Sequence, residues 1–178
     1  MMNFNLIEAI GLLERMPKSL EQLLSGLSDG WLESREGEGT WNAVEVVDHL
    51  IEAERSNWIP RISFLLQEGA SKPFPPFDRF SHLKNEPDRS IDSKLQTFRQ
   101  VRSYNIDRLK ELLHTDTNFN QTGLHPEFGE VKLSELISTW VVHDLTHTAQ
   151  IVRVMAERYR SDVGPWVQYL GILKRTET

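Results

Sequence analysis

Two histidines, His143 and His147, stand four residues apart in WVVHDLTHTAQI, residues 140–151. On a 3.6-residue period Leu133, Leu136, Trp140, His147, Ile151 and Val154 fall on one stripe, with His143 at its edge. Two imidazoles therefore take positions where a plain helical bundle places leucine. Burying a polar ring without a partner costs about 1 to 3 kcal/mol, so the pair calls for something that satisfies both. A metal ion does so, because side chains at i and i+4 lie about 5 to 6 Å apart and both rings can reach one ion at about 2.0 to 2.1 Å. A third ligand is then required elsewhere, and His49 is the one histidine inside another predicted long helix.

Asp144 stands where the HExxH zinc-protease motif carries its general-base glutamate. It is one methylene shorter and leans toward the apolar stripe, which leaves two roles open: accepting a proton from a ligand imidazole, or acting as a base. Glu45 reads as a helix-capping partner rather than a base. His125 reads as a solvated turn residue, with overhang of the site as its alternative, and His82 and His114 read as surface residues. Gln150 reads as an exposed helix residue that alternatively orients a ligand, and the Trp residues read as core or staple groups, with a pocket wall as the alternative for Trp140.

Long helices must position these groups. Residues 4–25 carry Leu6, Ile10, Leu13, Leu20 and Leu24 at helical spacing, with Pro17 expected to kink or split the helix. Asn42 and Glu45 form a start signal, with Trp41 stapling onto Val46, for a second helix over 43–68 that Pro60 kinks. Residues 69–89 are proline-rich and aperiodic, too long for a simple inter-helix turn, and imply a crossover or functional loop pinned by Phe74, Phe77 and Phe80. The third helix, 91–114, is capped by Ser90 and places Leu95, Phe98, Val101, Arg102, Ile106, Leu109 and Leu113 on one face. Residues 118–133 contain turn chemistry that suggests a small β-hairpin, and the fourth helix runs from Ser134 to Tyr159. A short helix over 165–175 is expected to lay Trp166, Tyr169, Leu170 and Leu173 against the bundle. The fold class is therefore all-α, a four-helix bundle with a long crossover connection and a small hairpin before the last long helix, in one domain over residues 1–178.

The composition narrows the chemistry. A formal charge of −6 with scattered Lys and Arg gives no footprint for nucleic acid. No cysteine is present, so thiolate ligands, disulfides and a cysteine nucleophile are excluded, and a metal must be held by His and carboxylate. No stretch approaches 18 apolar residues and no basic leader is seen, so a cytoplasmic protein without membrane association is expected.

WNAVEVVDHL at 41–50 and HDLTHTAQI at 143–151, in this order, with GEVKLSEL before the last long helix, resemble the DinB-like family of metal-binding helical bundles. The resemblance covers nearly the whole chain. It maps the metal ligands onto His49, His143 and His147, and it implies that a homodimer is common. It also points to thiol transferases that use low-molecular-weight thiols such as bacillithiol, and to a mycothiol-dependent isomerase. Three histidine ligands leave coordination open, as in catalytic sites. The expected protein is a divalent-metal-dependent transferase, with zinc or nickel as the ion, that activates a thiol cosubstrate or water toward a small-molecule substrate. The alternatives are a metal-dependent hydrolase and a non-catalytic stress-response bundle that binds a metal or small ligand.

Overall fold

The computed structural model describes residues 3–85 and 89–174. Helix α1 (Leu6–Leu24) starts where the Asn5 side chain accepts hydrogen bonds from the backbone N–H groups of Ile7 and Glu8 at 2.9 and 3.2 Å. It runs through Pro17 as one helix, neither split nor ended by it. A single turn, α2 (Asp29–Leu32), leads to α3 (Ala43–Ser56). The expected capping box is present: Glu45 N–H donates to Asn42 Oδ1 and Asn42 N–H to Glu45 Oε2, each at 2.9 Å.

The helix expected over 43–68 is divided at Asn57, and α4 (Trp58–Glu68) continues in a new direction. Pro60 has no N–H to offer the Ser56 carbonyl and its ring crowds that oxygen, so the break falls one turn upstream of the proline. The long connection then carries the short helix α5 (His82–Asn85) before α6 (Ile91–Leu112), which the Ser90 hydroxyl caps by accepting from Ser93 N–H.

Strands β1 (Thr122–His125) and β2 (Gly129–Lys132) form the expected antiparallel hairpin, with Thr122 opposite Lys132 and His125 opposite Gly129. Helix α7 (Leu133–Glu157) follows directly. The terminal helix is not α-helical: two 3-10 turns, Gly164–Tyr169 and Gly171–Leu173, replace it, since Gly171 interrupts a segment already short for a cooperative α-helix. Leu173 packs inward, but Trp166 and Tyr169 are 68% and 75% exposed, and Leu170 is exposed too. Residue 175 of that expected helix lies outside the described residues.

The four long arms make a bundle in which α6 and α7 each pack against both α1 and α3. The order around the bundle is therefore α1, α6, α3, α7, so α1 and α3 face each other diagonally although they follow one another in the chain. Helix α4 leans on α7 and on β1. The crossover segment is clasped to the hairpin: Phe74 N–H donates to the Leu124 carbonyl at 2.8 Å, and the Phe74 ring lies where a Cβ on Gly123 would come within 2.8 Å of it. Only glycine at 123 admits that ring. Phe74 is buried and Phe77 half-buried, whereas Phe80 remains largely exposed.

At the centre of the bundle Arg102 of α6 is 1% exposed. Its guanidinium donates to the Leu13 carbonyl of α1 at 2.9 Å, to Glu54 of α3 at 2.8 Å, and to both oxygens of Asp144 of α7 at 2.7 and 3.1 Å. Asn105 and the Trp140 indole N–H also donate to Glu54, at 2.9 and 2.7 Å. A second buried pair, Lys94 with Asp48 at 2.5 Å, ties α6 to α3. Removing one partner of such a network strands charge in a low-dielectric interior. Arg102→Met is expected to lower unfolding free energy by about 3 to 5 kcal/mol in urea titration at neutral pH. A loss below about 1 kcal/mol would show that the network is not a structural keystone.

Candidate metal centre

His49 projects from the middle of α3, and His143 and His147 project from successive turns of α7. One ring nitrogen from each lies within 4.8 Å of the others, so the two sequence motifs meet in space. The ring centroids are 4.4 Å apart for His143 and His147, 4.6 Å for His49 and His147, and 5.2 Å for His49 and His143. His49 is buried, while the α7 pair sits half-buried at the margin of the core rather than within it.

The hydrogen bonds decide which nitrogens face the shared point. His49 Nδ1–H donates to the Arg79 carbonyl at 3.2 Å, and His147 Nδ1–H donates to Gln150 Oε1 at 2.9 Å. Each ring therefore turns a bare Nε2 lone pair inward. His49 Nε2 lies 3.1 Å from His143 Nε2. A proton on His143 can serve only one of the neighbouring lone pairs, whereas a cation serves all three. Nitrogens about 2.0 to 2.1 Å from a tetrahedral ion stand about 3.3 Å apart, close to the 3.1 Å between His49 and His143, and the His147 nitrogen lies within 4.8 Å of both. A donor set of three imidazoles with no sulfur or carboxylate suits a borderline divalent ion such as zinc, nickel, copper or iron.

Burial holds the His49 imidazole at about 3 and His143 at about 2, with the neighbouring His147 ring adding to both shifts. Burial also lowers His147, against the opposing pull of its bond to Gln150. All three are neutral at physiological pH and available to a metal.

The surroundings revise several expectations. His82 is not a surface residue: it is 3% exposed, meeting Trp41 edge-on at 4.6 Å and His49 at 5.2 Å. Its segment has no periodicity, and its depth comes from the packing of α5 on α3, a long-range contact not legible in sequence. Trp41 does more than staple the helix; it stacks on His147 at 6.2 Å and lies 4.9 Å from His49, roofing the cluster. Trp140 is not a pocket wall but a fully buried residue stacked on Trp58 at 5.8 Å, and it is Trp58 that meets His143, at 5.0 Å. Gln150 is half-buried rather than exposed, and it hydrogen-bonds the His147 ring, a role distinct from orienting a ligand. Glu45 caps α3 and pairs with Arg35 at 2.7 Å. His114 is exposed, as expected.

Asp144 does not hydrogen-bond to an imidazole, since Arg102 engages both of its oxygens. Burial pushes its carboxyl up to about 6, against the pull of Arg102. The neighbour of His143 serves the core rather than the cluster. The resemblance to HExxH stops at the histidines.

The cluster opens onto a cavity of about 720 Å³. Trp41, Trp58, Phe74, Phe77 and Phe128 give it aromatic walls. His125 also lines it, stacked on Phe128 at 4.5 Å and edge-on to Phe74 at 6.2 Å.

Comparison with known proteins places these features in a group. A family model, the DinB superfamily, matches residues 12–151. The chain is 24% identical over 147 residues to YfiT of Bacillus subtilis (strain 168), covering 82% of this chain and 81% of that protein. The solved structure of Bacillus subtilis YfiT, described as a probable metal-dependent hydrolase with an unusual four-helix bundle topology, superposes with a TM-score of 0.71 at 20% identity. That superposition covers 92% of this chain and 90% of the other. At that identity the likeness is one of fold, and the ligand geometry above is this chain's own.

The depressed histidines fix the sign of a pH effect in metal-free protein. Between the ordinary histidine value of 6.5 and about 3, the unfolded chain takes up protons that folded His49 and His143 refuse, so stability falls as pH is lowered through that window. Asp144 acts in the opposite sense over the narrower span from 3.8 to about 6. Urea midpoints of chelator-treated protein are expected to be level above pH 7 and to decline steadily below 6.5, with a shallower decline in His143→Phe. An identical slope in the variant would contradict the assignment.

Proposed function

The chain belongs to the DinB superfamily, and on that premise we propose that it is a divalent-metal-dependent enzyme whose ion is held by His49, His143 and His147. The observation that carries the reading is the convergence of three neutral imidazoles, one ring nitrogen of each within 4.8 Å of the others, on the wall of an open cavity large enough for a small-molecule substrate. A divalent ion at that point supplies Lewis acidity, lowering the pKa of a thiol or water that it binds. The chain supplies the rest. The Arg79 carbonyl and Gln150 fix the tautomers of His49 and His147, Trp41 and Trp58 brace the rings, and the aromatic walls keep bulk water from the reacting groups.

A low-molecular-weight thiol is the favoured nucleophile, making the protein a transferase. Hydrolysis calls for a base to take the proton of water, and among the described residues the carboxylates that line the cavity or adjoin the cluster each already accept a hydrogen bond. Asp144 is held by Arg102, Glu36 by Arg153 at 2.9 Å, and Glu135 by the Lys132 backbone N–H at 2.8 Å. A thiol, ionising near 8.5, needs less help. With no cysteine in the chain, its sulfur comes from a cosubstrate. Metal-dependent hydrolysis is the second reading, favoured by the description of the Bacillus subtilis relative. No helix among the described residues is long and apolar enough to cross a membrane. We place the protein in the cytoplasm, as a homodimer acting on a small molecule without a nucleic-acid partner.

Elemental analysis of protein purified without affinity metal tests the centre. Wild type is expected to carry about one equivalent of zinc or nickel, and His147→Ala to lose it. Loaded wild type should then consume low-molecular-weight thiols in the presence of electrophiles, with at least a hundredfold loss in His147→Ala. Metal uptake without turnover of thiols or esters would favour the non-catalytic bundle, and no uptake at all would remove the reading.

A further inference from the structure

The cavity wall holds a second polar group, away from the histidines. Arg61 stands three residues after Trp58 on α4, so the two project from one face about 4.5 Å apart along the helix axis. Because Trp58 meets His143 edge-on, Arg61 lies one helical turn farther along the cavity from the cluster. Its guanidinium sits over the Phe74 ring at 5.5 Å and is half-buried.

No carboxylate among the described residues pairs with it. That sets Arg61 apart from Arg35, Arg99, Arg102, Arg108, Arg153 and Arg160, each of which has an acidic partner. Burial depresses its pKa, the mark of a cation partly removed from water without compensation. The two acids on the same cavity wall are occupied, Glu36 by Arg153 and Glu135 by the start of α7. Arg79, exposed over Phe80 at 5.4 Å, adds a second positive charge at the rim. The chain carries a formal charge of −6, yet the charge left uncompensated on this wall is positive.

We propose that Arg61 is the anion-binding subsite of this cavity, and that its ligand carries a carboxylate held by the Arg61 guanidinium and an apolar or aromatic body lying against Phe74 and Trp58. A planar guanidinium resting on an aromatic face is preorganised to pair with both carboxylate oxygens. The statement that the opposite end of this ligand is the reacting end rests on the reading of the histidines as a metal centre; the anion subsite itself does not. Arg61 is a specificity residue: it selects an anionic substrate and sets its distance from the cluster.

The test titrates protein as purified with 3-phenylpropionate and with its neutral amide, following tryptophan fluorescence at fixed ionic strength, and measures metal content on the same samples. Wild type is expected to bind the carboxylate at least tenfold more tightly than the amide. Arg61→Gln should bring the two within twofold, Arg61→Lys should keep part of the preference, and His147→Ala should keep most of it. Thermal melting of each variant confirms that the fold is retained. A preference that survives in Arg61→Gln, that is absent from wild type, or that vanishes in His147→Ala along with the metal would overturn the proposal, the last because the carboxylate would then sit on the metal. The metal content of wild type judges the histidine centre separately, so either idea can fail without the other.

Discussion

One guanidinium holds the four arms of the bundle in phase. Arg102 reaches α1 through a backbone carbonyl, α3 through Glu54 and α7 through Asp144, all from α6. Apolar packing alone tolerates small rotations of a helix about its axis, because one hydrophobic side chain replaces another at little cost. Charged hydrogen bonds in a dry interior do not, since a rotation that breaks one leaves an unpaired charge. The Phe98 and Trp140 rings close over the guanidinium at 4.9 and 5.3 Å and keep water from relaxing that constraint.

The histidines inherit their directions from this hub. His143 precedes Asp144 by one residue, about 100° around α7, and His49 precedes Glu54 by five, about 140° around α3. With both carboxylates turned to the bundle axis, the α7 histidines are carried to its margin, where they meet the buried His49 and the helices border the cavity. The rest of the site is fixed from outside the bundle. Pro60 breaks the helix and swings Trp58 and Arg61 along the cavity wall. Gly123 admits Phe74, which anchors the segment whose Arg79 carbonyl orients His49. A glycine in a hairpin thus bears on the tautomer of a histidine far from it in sequence.

Periodicity made the helices, the capping box, the hairpin and the two histidine motifs legible, because each is set by residues within a few turns of one another. It also placed Arg102 on an inward face. It does not reveal the partners of Arg102, which come from three other helices, and so the sequence offers Asp144 an imidazole partner or a base role and conceals its place as half of an ion pair. His82 and Trp41 escaped for a related reason. Their positions depend on how a proline-rich segment folds back over the cluster, and no local pattern encodes that path. Trp166, Tyr169 and Leu170 were apolar enough to suggest a docked helix, but Gly171 and the short length leave them in solvent.

In the proposed reading, metal affinity, substrate access and charge selection fall to different parts of one cavity: three imidazoles on the bundle side, aromatic walls, and Arg61 on α4. The central claim is that the three Nε2 atoms converge on a single ion. Anomalous diffraction at the absorption edge of the bound metal, from crystals of the loaded protein, tests it most directly. The account predicts one strong peak among the Nε2 atoms of His49, His143 and His147, with no further protein ligand and its remaining face toward the cavity. A peak elsewhere, or one closed off by a fourth side chain, would contradict it.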